Sequence, residues 1–194
     1  MPNPSPHSAP LLEWFAQARR DLPWRATLDP YHVWLSEVLL QQTQMERGVA
    51  YFQRFVARFP DLASLAEADE QDVLKLWEGL GYYGRARNLL KAARIMAAEH
   101  GGRVPDDHAA LRALPGVGGY TAGAVLSIAY NRDVPAVDAN AERVLARLHD
   151  VEQSPRDAKG KRLFARLAQE LIPPGRAREI NQAVMELGAL VCLP

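Results

Sequence analysis

The sequence has a single cysteine, no excess of either charge and no apolar run long enough to cross a membrane. Cys192 has no partner for an internal disulfide, and no CxxC pair is present to bind zinc or perform redox chemistry. The apolar stretches fall short of the roughly 18–20 residues of a membrane span. The Pro-rich start also lacks the apolar segment of a signal peptide. We therefore expect a cytoplasmic protein.

The charges balance, with 23 Lys and Arg against 23 Asp and Glu. This balance counts against a nucleic-acid partner, because proteins that bind nucleic acids are usually basic. The charges are nevertheless grouped: acids lie at 61–72, and bases lie at 85–94 and 159–166. Each group alone is typical of a solvated helix face. A basic face opposite an acidic one would still allow phosphate contacts.

Apolar residues recur at helical spacing almost throughout, and no alternating pattern of paired strands is present. The sequence therefore predicts an all-α fold. Ser8, Asp29, Asp69, Asp106 and Asp138 are the expected residues at helix starts. The expected helices cover about 9–18, 30–44, 49–59, 70–77, 82–99, 107–114, 121–130, 139–148, 157–172 and 177–191.

A glycine-rich turn, Leu114 to Gly118 in the order LPGVG, separates two of these helices. Backbone N–H groups exposed at such a turn can bind a phosphate, helped by the dipole of the following helix. Glycine is also used where two helices simply connect closely. The order of residues is more specific than the glycines, and it resembles the hairpin of helix-hairpin-helix DNA-binding proteins, which contact the sugar-phosphate backbone.

Two carboxylates stand in positions suited to acid–base chemistry. Glu37 lies within the apolar stretch WLSEVLLQQT, and burial raises the pKa of a carboxyl group towards the range of a general acid. Asp138 follows the apolar lead-in VPAV at a helix start, where backbone N–H groups would keep it ionised and able to stabilise a positive charge. An exposed glutamate and an ordinary helix cap are the alternatives.

Two further segments carry groups suited to DNA. The polar residues Gln41, Gln42 and Thr43 could hydrogen-bond bases or deoxyriboses. In GLGYYGRARNL, Tyr82 could insert into a base stack, and Arg85 and Arg87 could bind phosphates. An ordinary helix surface and a hydrophobic helix start are the alternatives.

Together and in this order, the four segments WLSEVLLQQT, GLGYYGRARNL, LPGVGGYTAGAVLSIAY and VPAVDANAERVLARL resemble the MutY-type adenine DNA glycosylases. These enzymes belong to the helix-hairpin-helix glycosylase superfamily, and the resemblance runs from about Trp14 to Cys192. It implies one catalytic core with two helical lobes, about 25–130 and 1–24 plus 131–194, and an active site in the cleft between them. It also implies a monomer that removes adenine paired with 8-oxoguanine in double-stranded DNA.

The resemblance assigns a role to each candidate residue. Glu37 protonates the flipped adenine, Asp138 stabilises the oxocarbenium-like sugar, and Tyr120 and Asn140 orient these carboxylates. Enzymes of the endonuclease III type carry a lysine at position 120, whereas a tyrosine cannot form an imine, so we expect a monofunctional glycosylase. The resemblance places Trp24, Arg25, Leu40 and Gln182 around the adenine. It places Gln41, Gln42, Thr43, Tyr82, Arg85, Arg87, Gly116, Val117 and Gly118 against DNA, with Tyr82 as the wedge.

The chain departs from the family pattern at two places. Ala139 stands where the family usually has glycine. Cys192 matches the first of the four cysteines that hold a [4Fe-4S] cluster in this family, and the other three are absent from the sequence. The Nudix-like domain that helps the family to recognise 8-oxoguanine is absent as well. We therefore expect a fragment of a longer protein. An endonuclease III-type glycosylase/lyase and a non-catalytic DNA-binding fragment are the alternatives.

Overall fold

The computed structural model describes residues 5–194, and all regular secondary structure in that range is helical. This confirms the all-α expectation. The helices are α1 (Ser8–Ala18), α2 (Pro23–Thr27), α3 (Pro30–Leu40), α4 (Met45–Arg58), α5 (Leu62–Ala66), α6 (Glu70–Trp77), α7 (Gly84–Glu99), α8 (His108–Ala113), α9 (Gly119–Ala124), α10 (Ala139–Leu148), α11 (Ala158–Glu170) and α12 (Ala177–Leu190), with a π-helical segment at Val125–Ala129. No helix in the described range is both long and apolar enough to span a bilayer.

Residues Asp21–Ala122 form one compact unit, which we call the central unit. In it α3 packs against α2, α4 and α7, while α7 also packs against α5 and α6. Large side chains with almost no exposure fill its core, among them Trp34, Phe55 and Trp77. The rings of Phe55 and Trp77 meet edge to face with centroids 5.9 Å apart, a favoured geometry for aromatic pairs.

The second compact unit, which we call the terminal unit, combines the described residues up to Arg20 with Gly123–Pro194. Helix α12 is its central element, since α12 packs against α1, α10 and the π-helical segment. Its apolar core includes Leu145, Phe164, Leu171 and Ile180.

Most of the helix starts that the sequence predicts do lie directly after an aspartate. Asp29, Asp69 and Asp138 each accept a backbone N–H with their carboxylate, as expected. Two expectations are wrong. Ser8 is the first residue of α1 rather than its cap, and its hydroxyl instead donates to the Leu171 carbonyl at 2.8 Å. The cap of α8 is Asp107 and not Asp106, because the Asp107 carboxylate accepts the N–H three residues later.

Helix α4 begins at Met45 rather than near residue 49, and the helix expected at 121–130 begins at Gly119 and becomes π-helical at Val125. Two further helix limits differ from expectation, and in both the backbone is the reason. Helix α3 ends at Leu40 rather than near residue 44, because Gln41 leaves the helical region with a ψ of 113° and Gln42 then adopts a positive φ of 57°. Helix α7 begins at Gly84 rather than at Tyr82, whose φ is 46°. Non-glycine residues seldom adopt such angles, and a helix cannot continue through them.

Candidate active site

Helix α3 carries Glu37 into the interior of the central unit. The Asp29 carboxylate accepts the N–H groups of Tyr31 and His32, and Pro30 begins the helix with a favourable φ. Most of the helix is buried on all sides, and Glu37 is only 7% exposed. An ionisable carboxyl group in such surroundings needs a polar partner.

That partner is Tyr120. Its hydroxyl donates to Oε2 of Glu37 at 2.6 Å, across 83 positions of sequence. Tyr120 lies in the first turn of α9, directly after the LPGVG hairpin, so the hairpin determines where this hydroxyl is placed. The structure therefore brings together two of the four predicted catalytic residues.

The hairpin before Tyr120 is a tight turn. Gly116 has a φ of 77°, which favours glycine, and the Val117 N–H donates to the Leu114 carbonyl at 3.2 Å. A Cβ atom at Gly116 would lie 3.1 Å from Cβ of Asn88. Gly116 and Gly118 are exposed while Val117 is buried, so the turn presents glycine backbone to solvent.

Asp138 and Asn140, the other two predicted catalytic residues, form a pair in the terminal unit. Oδ1 of Asp138 accepts the Ala141 N–H at 2.7 Å, and Oδ2 accepts from Nδ2 of Asn140 at 2.9 Å. Both carboxylate oxygens are therefore held by donors from the first turn of α10.

Predicted contacts with DNA lie at the end of α3 and before α7. Gln42 and Tyr82 both have positive φ, and Tyr82 is 70% exposed, an unusual exposure for a large aromatic side chain. The Thr43 hydroxyl donates weakly, at 3.4 Å, to the carbonyl of Gln41. The exposed ring of Tyr82 stands on a constrained backbone, an arrangement suited to a wedge.

Arg85 and Arg87 are directed at the protein. Arg85 donates to the carbonyls of Val38 and Gln41 at the end of α3 and to that of Leu80, and its guanidinium lies over the Trp77 ring. Burial lowers the pKa of Arg85. Arg87, by contrast, makes an exposed ion pair with Glu70 at 3.2 Å. Arg85 therefore anchors the end of α3, whereas Arg87 is more accessible.

The residues predicted around the base are divided between the units. Trp24 and Arg25 lie in α2, with the Trp24 ring buried edge-on against Phe52 at 5.1 Å. Leu40 ends α3. Gln182 is in the terminal unit, where it is 7% exposed and donates to the Arg178 carbonyl at 3.0 Å.

Residues 35–174 match the family described as HhH-GPD superfamily base excision DNA repair protein. The chain belongs to this superfamily. It is 45% identical over 193 residues to the adenine DNA glycosylase of Rattus norvegicus, an alignment that covers 95% of this chain and 37% of the rat protein. It is 37% identical over 184 residues to that of Buchnera aphidicola subsp. Acyrthosiphon pisum, covering 94% of this chain and 53% of the relative. The chain thus spans about a third to a half of these relatives.

Solved structures of glycosylases share its fold. A thermostable thymine-DNA glycosylase superposes with a TM-score of 0.88 at 31% identity, covering 97% of this chain and 87% of that one. A trapped endonuclease III–DNA covalent intermediate superposes with a TM-score of 0.81 at 23% identity, covering 96% and 84%. The helical architecture is therefore that of the superfamily.

The residues present do not form an iron–sulfur site. A cubane cluster is held by four ligands, usually thiolates, and Cys192 is the single cysteine of the sequence. Residues 5–194 contain no group of three or more His, Cys, Asp or Glu side chains placed to hold a metal ion. The Cys192 sulfur accepts a hydrogen bond from Arg147 at 3.2 Å.

Three residues that sequence patterns did not single out support Asp138. Asn181 is 3% exposed; its amide accepts the Ala136 N–H and donates to the Val134 carbonyl, both at 2.9 Å. Gly123 lets the same segment approach closely, since a Cβ there would lie 2.3 Å from the Pro135 carbonyl oxygen. These contacts hold the backbone that leads into Asp138.

The third is Arg143, which holds Asn140. Its guanidinium donates to Oδ1 of Asn140 at 2.9 Å, to the Gly188 carbonyl at 2.7 Å and to the Cys192 carbonyl at 2.6 Å. The sequence offers one signal for this role, the position of Arg143 one helical turn after Asn140. Its other partners, the carbonyls of Gly188 and Cys192, lie about 45 positions away.

Proposed function

We propose that this chain is the catalytic part of an adenine DNA glycosylase that hydrolyses the N-glycosidic bond of adenine paired with 8-oxoguanine in double-stranded DNA. The observation that carries the proposal is the hydrogen bond between Tyr120 and the buried Glu37, which matches an acid–base role for Glu37. Position 120 is a tyrosine and not a lysine. The 45% identity to a mammalian adenine DNA glycosylase over 95% of the chain supports adenine as the base.

In the proposed reaction the target nucleotide leaves the helical stack, as it must for a base to reach a protein pocket. Glu37 gives its proton to the adenine ring, so that the base departs as a neutral molecule with the electron pair of the glycosidic bond. The sugar becomes an oxocarbenium-like cation, which the Asp138 carboxylate stabilises. Water then adds to the anomeric carbon and gives its proton to the Glu37 carboxylate, which restores the acid and leaves an abasic site.

The remaining residues position these two carboxylates and the DNA. Tyr120 fixes Glu37, and Asn140 fixes Asp138, through the bonds described above. We propose that Trp24, Arg25, Leu40 and Gln182 surround the base, and that Tyr82, the turn Gln41 to Thr43 and the hairpin Gly116 to Gly118 contact DNA. The tyrosine at position 120 offers no amine for an imine, so the reaction stops at base release. We infer a monomer that acts on DNA in the bacterial cytoplasm.

A thymine glycosylase is the second candidate, because the solved structure of a thymine-DNA glycosylase covers this chain with a TM-score of 0.88. Its identity of 31% is lower than the 45% shared with the rat adenine enzyme, which favours adenine.

The test is single-turnover release of the base from three duplexes, containing adenine opposite 8-oxoguanine, adenine opposite guanine, or thymine opposite guanine. We expect adenine release, fastest opposite 8-oxoguanine, and its loss in Glu37→Gln and Asp138→Asn. Glu170→Gln changes an exposed carboxylate and is the matched control. Preferential thymine release would support the second candidate, and duplex binding without release would contradict both. Borohydride trapping of a covalent adduct would identify a lyase.

A further inference from the structure

A small cavity of about 100 Å³ lies within the central unit, below the hairpin. Helix α3, the turn after it, helix α7 and the hairpin all contribute to its wall. Its lining includes Trp34, Gln41, Arg85, Asn88, Pro115 and Gly116.

Two of these lining residues carry a buried N–H donor that has no hydrogen-bond partner within residues 5–194: Trp34 at Nε1 and Arg85 at Nε. Trp34 is completely buried. Buried polar groups are paired in roughly 90% or more of cases, and an unpaired one costs about 1–3 kcal/mol. Two such donors belong to residues that line one cavity, and an acceptor placed there could pair with both.

Comparable donors nearby are satisfied by the protein itself. Trp77 is equally buried, and its Nε1 donates to the Gly81 carbonyl at 2.9 Å. The two terminal nitrogens of Arg85 donate to the carbonyls of Val38, Gln41 and Leu80. Nε1 of Trp77 and both terminal nitrogens of Arg85 thus have acceptors within the protein, whereas Nε of Arg85 and Nε1 of Trp34 have none within residues 5–194.

We propose that this cavity is a binding site for a small hydrogen-bond acceptor, a water molecule or a halide ion, held by the Trp34 Nε1–H and Arg85 Nε–H donors. No carboxylate lines the cavity, so the Arg85 cation has no acidic competitor there. The amides of Gln41 and Asn88 complete the wall. Their oxygens can accept the protons of a bound water, and turned over, their NH₂ groups can donate to an anion.

The cavity has room for such a ligand, because a water molecule occupies about 30 Å³ of liquid, less than the volume of the cavity. An acceptor held here would also join parts of the chain distant in sequence, since Trp34 belongs to α3, Arg85 to α7, and Pro115 and Gly116 to the hairpin. The site is thus a structural ligand site beneath the DNA-contacting hairpin, and it stands independently of the proposed substrate.

The first test uses the indole resonances of the ¹⁵N-labelled chain, whose four tryptophans give four signals. Trp34→Phe assigns the Trp34 signal, and Trp77, bonded to Gly81, is the internal reference. We expect a hydrogen-bonded shift for Trp34 together with either a cross-peak to a long-lived water or a shift on exchanging chloride for bromide. A Trp34 signal at the position of a free indole, with neither response, would overturn the proposal.

A crystal structure grown in bromide separates the two ligands and remains informative if Trp34→Phe fails to fold. An anomalous peak within hydrogen-bonding distance of both nitrogens identifies a halide, and ordinary density there identifies water. Either supports the site. The proposal is wrong if a protein atom satisfies both donors, or if the acceptor keeps its position and occupancy in Trp34→Phe.

Discussion

Tyr120 and Glu37 are joined by a hydrogen bond of 2.6 Å although 83 positions separate them in the sequence. The bond unites the two motifs that are most specific in the sequence, the LPGVG hairpin and the buried segment of α3. A buried carboxyl group whose one oxygen is held by a phenol keeps its other oxygen in a defined direction. Orientation of this kind is what general acid catalysis requires.

Removal of the Tyr120 hydroxyl should slow base release more than it weakens DNA binding. In Tyr120→Phe the ring remains and Glu37 loses the hydrogen bond from the phenol. Glu37 becomes a carboxylate as it gives up its proton, and a hydrogen bond to a charged group contributes about 1.5–3 kcal/mol, so we expect a single-turnover rate roughly 10- to 100-fold lower. Tyr83→Phe, a partly exposed tyrosine outside the proposed site, is the control. Equal rates for Tyr120→Phe and the unchanged chain would show that this bond does not position the acid.

The close approach of Gly123 to the Pro135 carbonyl predicts a steric cost for a single methyl group. A Cβ at position 123 would lie 2.3 Å from that oxygen, so Gly123→Ala must displace the backbone that leads to Asp138. Overpacking of this kind costs about 1–3 kcal/mol, which denaturant unfolding can measure.

Gly84→Ala is the matched control for this glycine. Gly84 begins α7, its φ is not positive, and a Cβ there would meet nothing within 4 Å. Alanine should therefore leave stability unchanged or raise it by up to about 1 kcal/mol. If both variants were equally stable, the contact at Gly123 would not constrain this segment.

Arg85 and Arg87, two residues apart, should behave in opposite ways. Arg85 is bonded to three carbonyls and stacked on Trp77, so Arg85→Gln should lower the free energy of unfolding by about 2–3 kcal/mol. Arg87 makes one exposed ion pair, whose loss in Arg87→Gln should cost less than about 1 kcal/mol. Denaturant unfolding of both variants checks the contrast.

The effects on DNA binding should have the reverse order, with Arg87→Gln changing binding more than Arg85→Gln. If Arg87 contacts a phosphate, Arg87→Gln lowers the slope of log K against log salt concentration by about one. An unchanged slope would mean that Arg87 does not reach the backbone. Arg85→Gln should leave the slope unchanged at temperatures where it is folded.

Local chemistry explains which parts of this fold could be predicted from the sequence. Asp29, Asp69 and Asp138 each bond backbone within three residues, so their role is visible in the sequence around them. The five-residue helices α2 and α5 are too short to show a helical period and were not expected.

Contacts across the fold explain what could not be predicted. Asn181 supports the segment before Asp138 from about 45 positions away, and Arg143 reaches Gly188 over a similar separation. No spacing rule connects such pairs. The motif around Arg85 showed a basic residue near aromatics, but only the structure shows that its guanidinium is turned towards the end of α3.

Glu142, which lies one turn after Asp138, should make the stability of the fold decrease as the pH rises. Burial raises the pKa of Glu142, the Asp138 carboxylate raises it further, and Lys161 and Arg156 oppose the rise. A carboxyl group whose pKa is higher in the folded state than in the unfolded state contributes stability below its unfolded pKa. That contribution is lost as the pH rises through its folded pKa. Glu142→Gln cannot ionise, so it should have a higher melting temperature than the unchanged chain at pH 7.

The difference between Glu142→Gln and the unchanged chain should shrink below the ordinary glutamate pKa of 4.5, where both side chains are neutral. Thermal unfolding from pH 4 to pH 8 measures this window. Glu152→Gln, which changes an exposed glutamate nearby, serves as the control. A difference that stayed constant across the range would mean that Glu142 stabilises the fold through packing. If the unchanged chain melted above Glu142→Gln at pH 7 and lost that advantage at low pH, Lys161 and Arg156 would outweigh burial and Asp138.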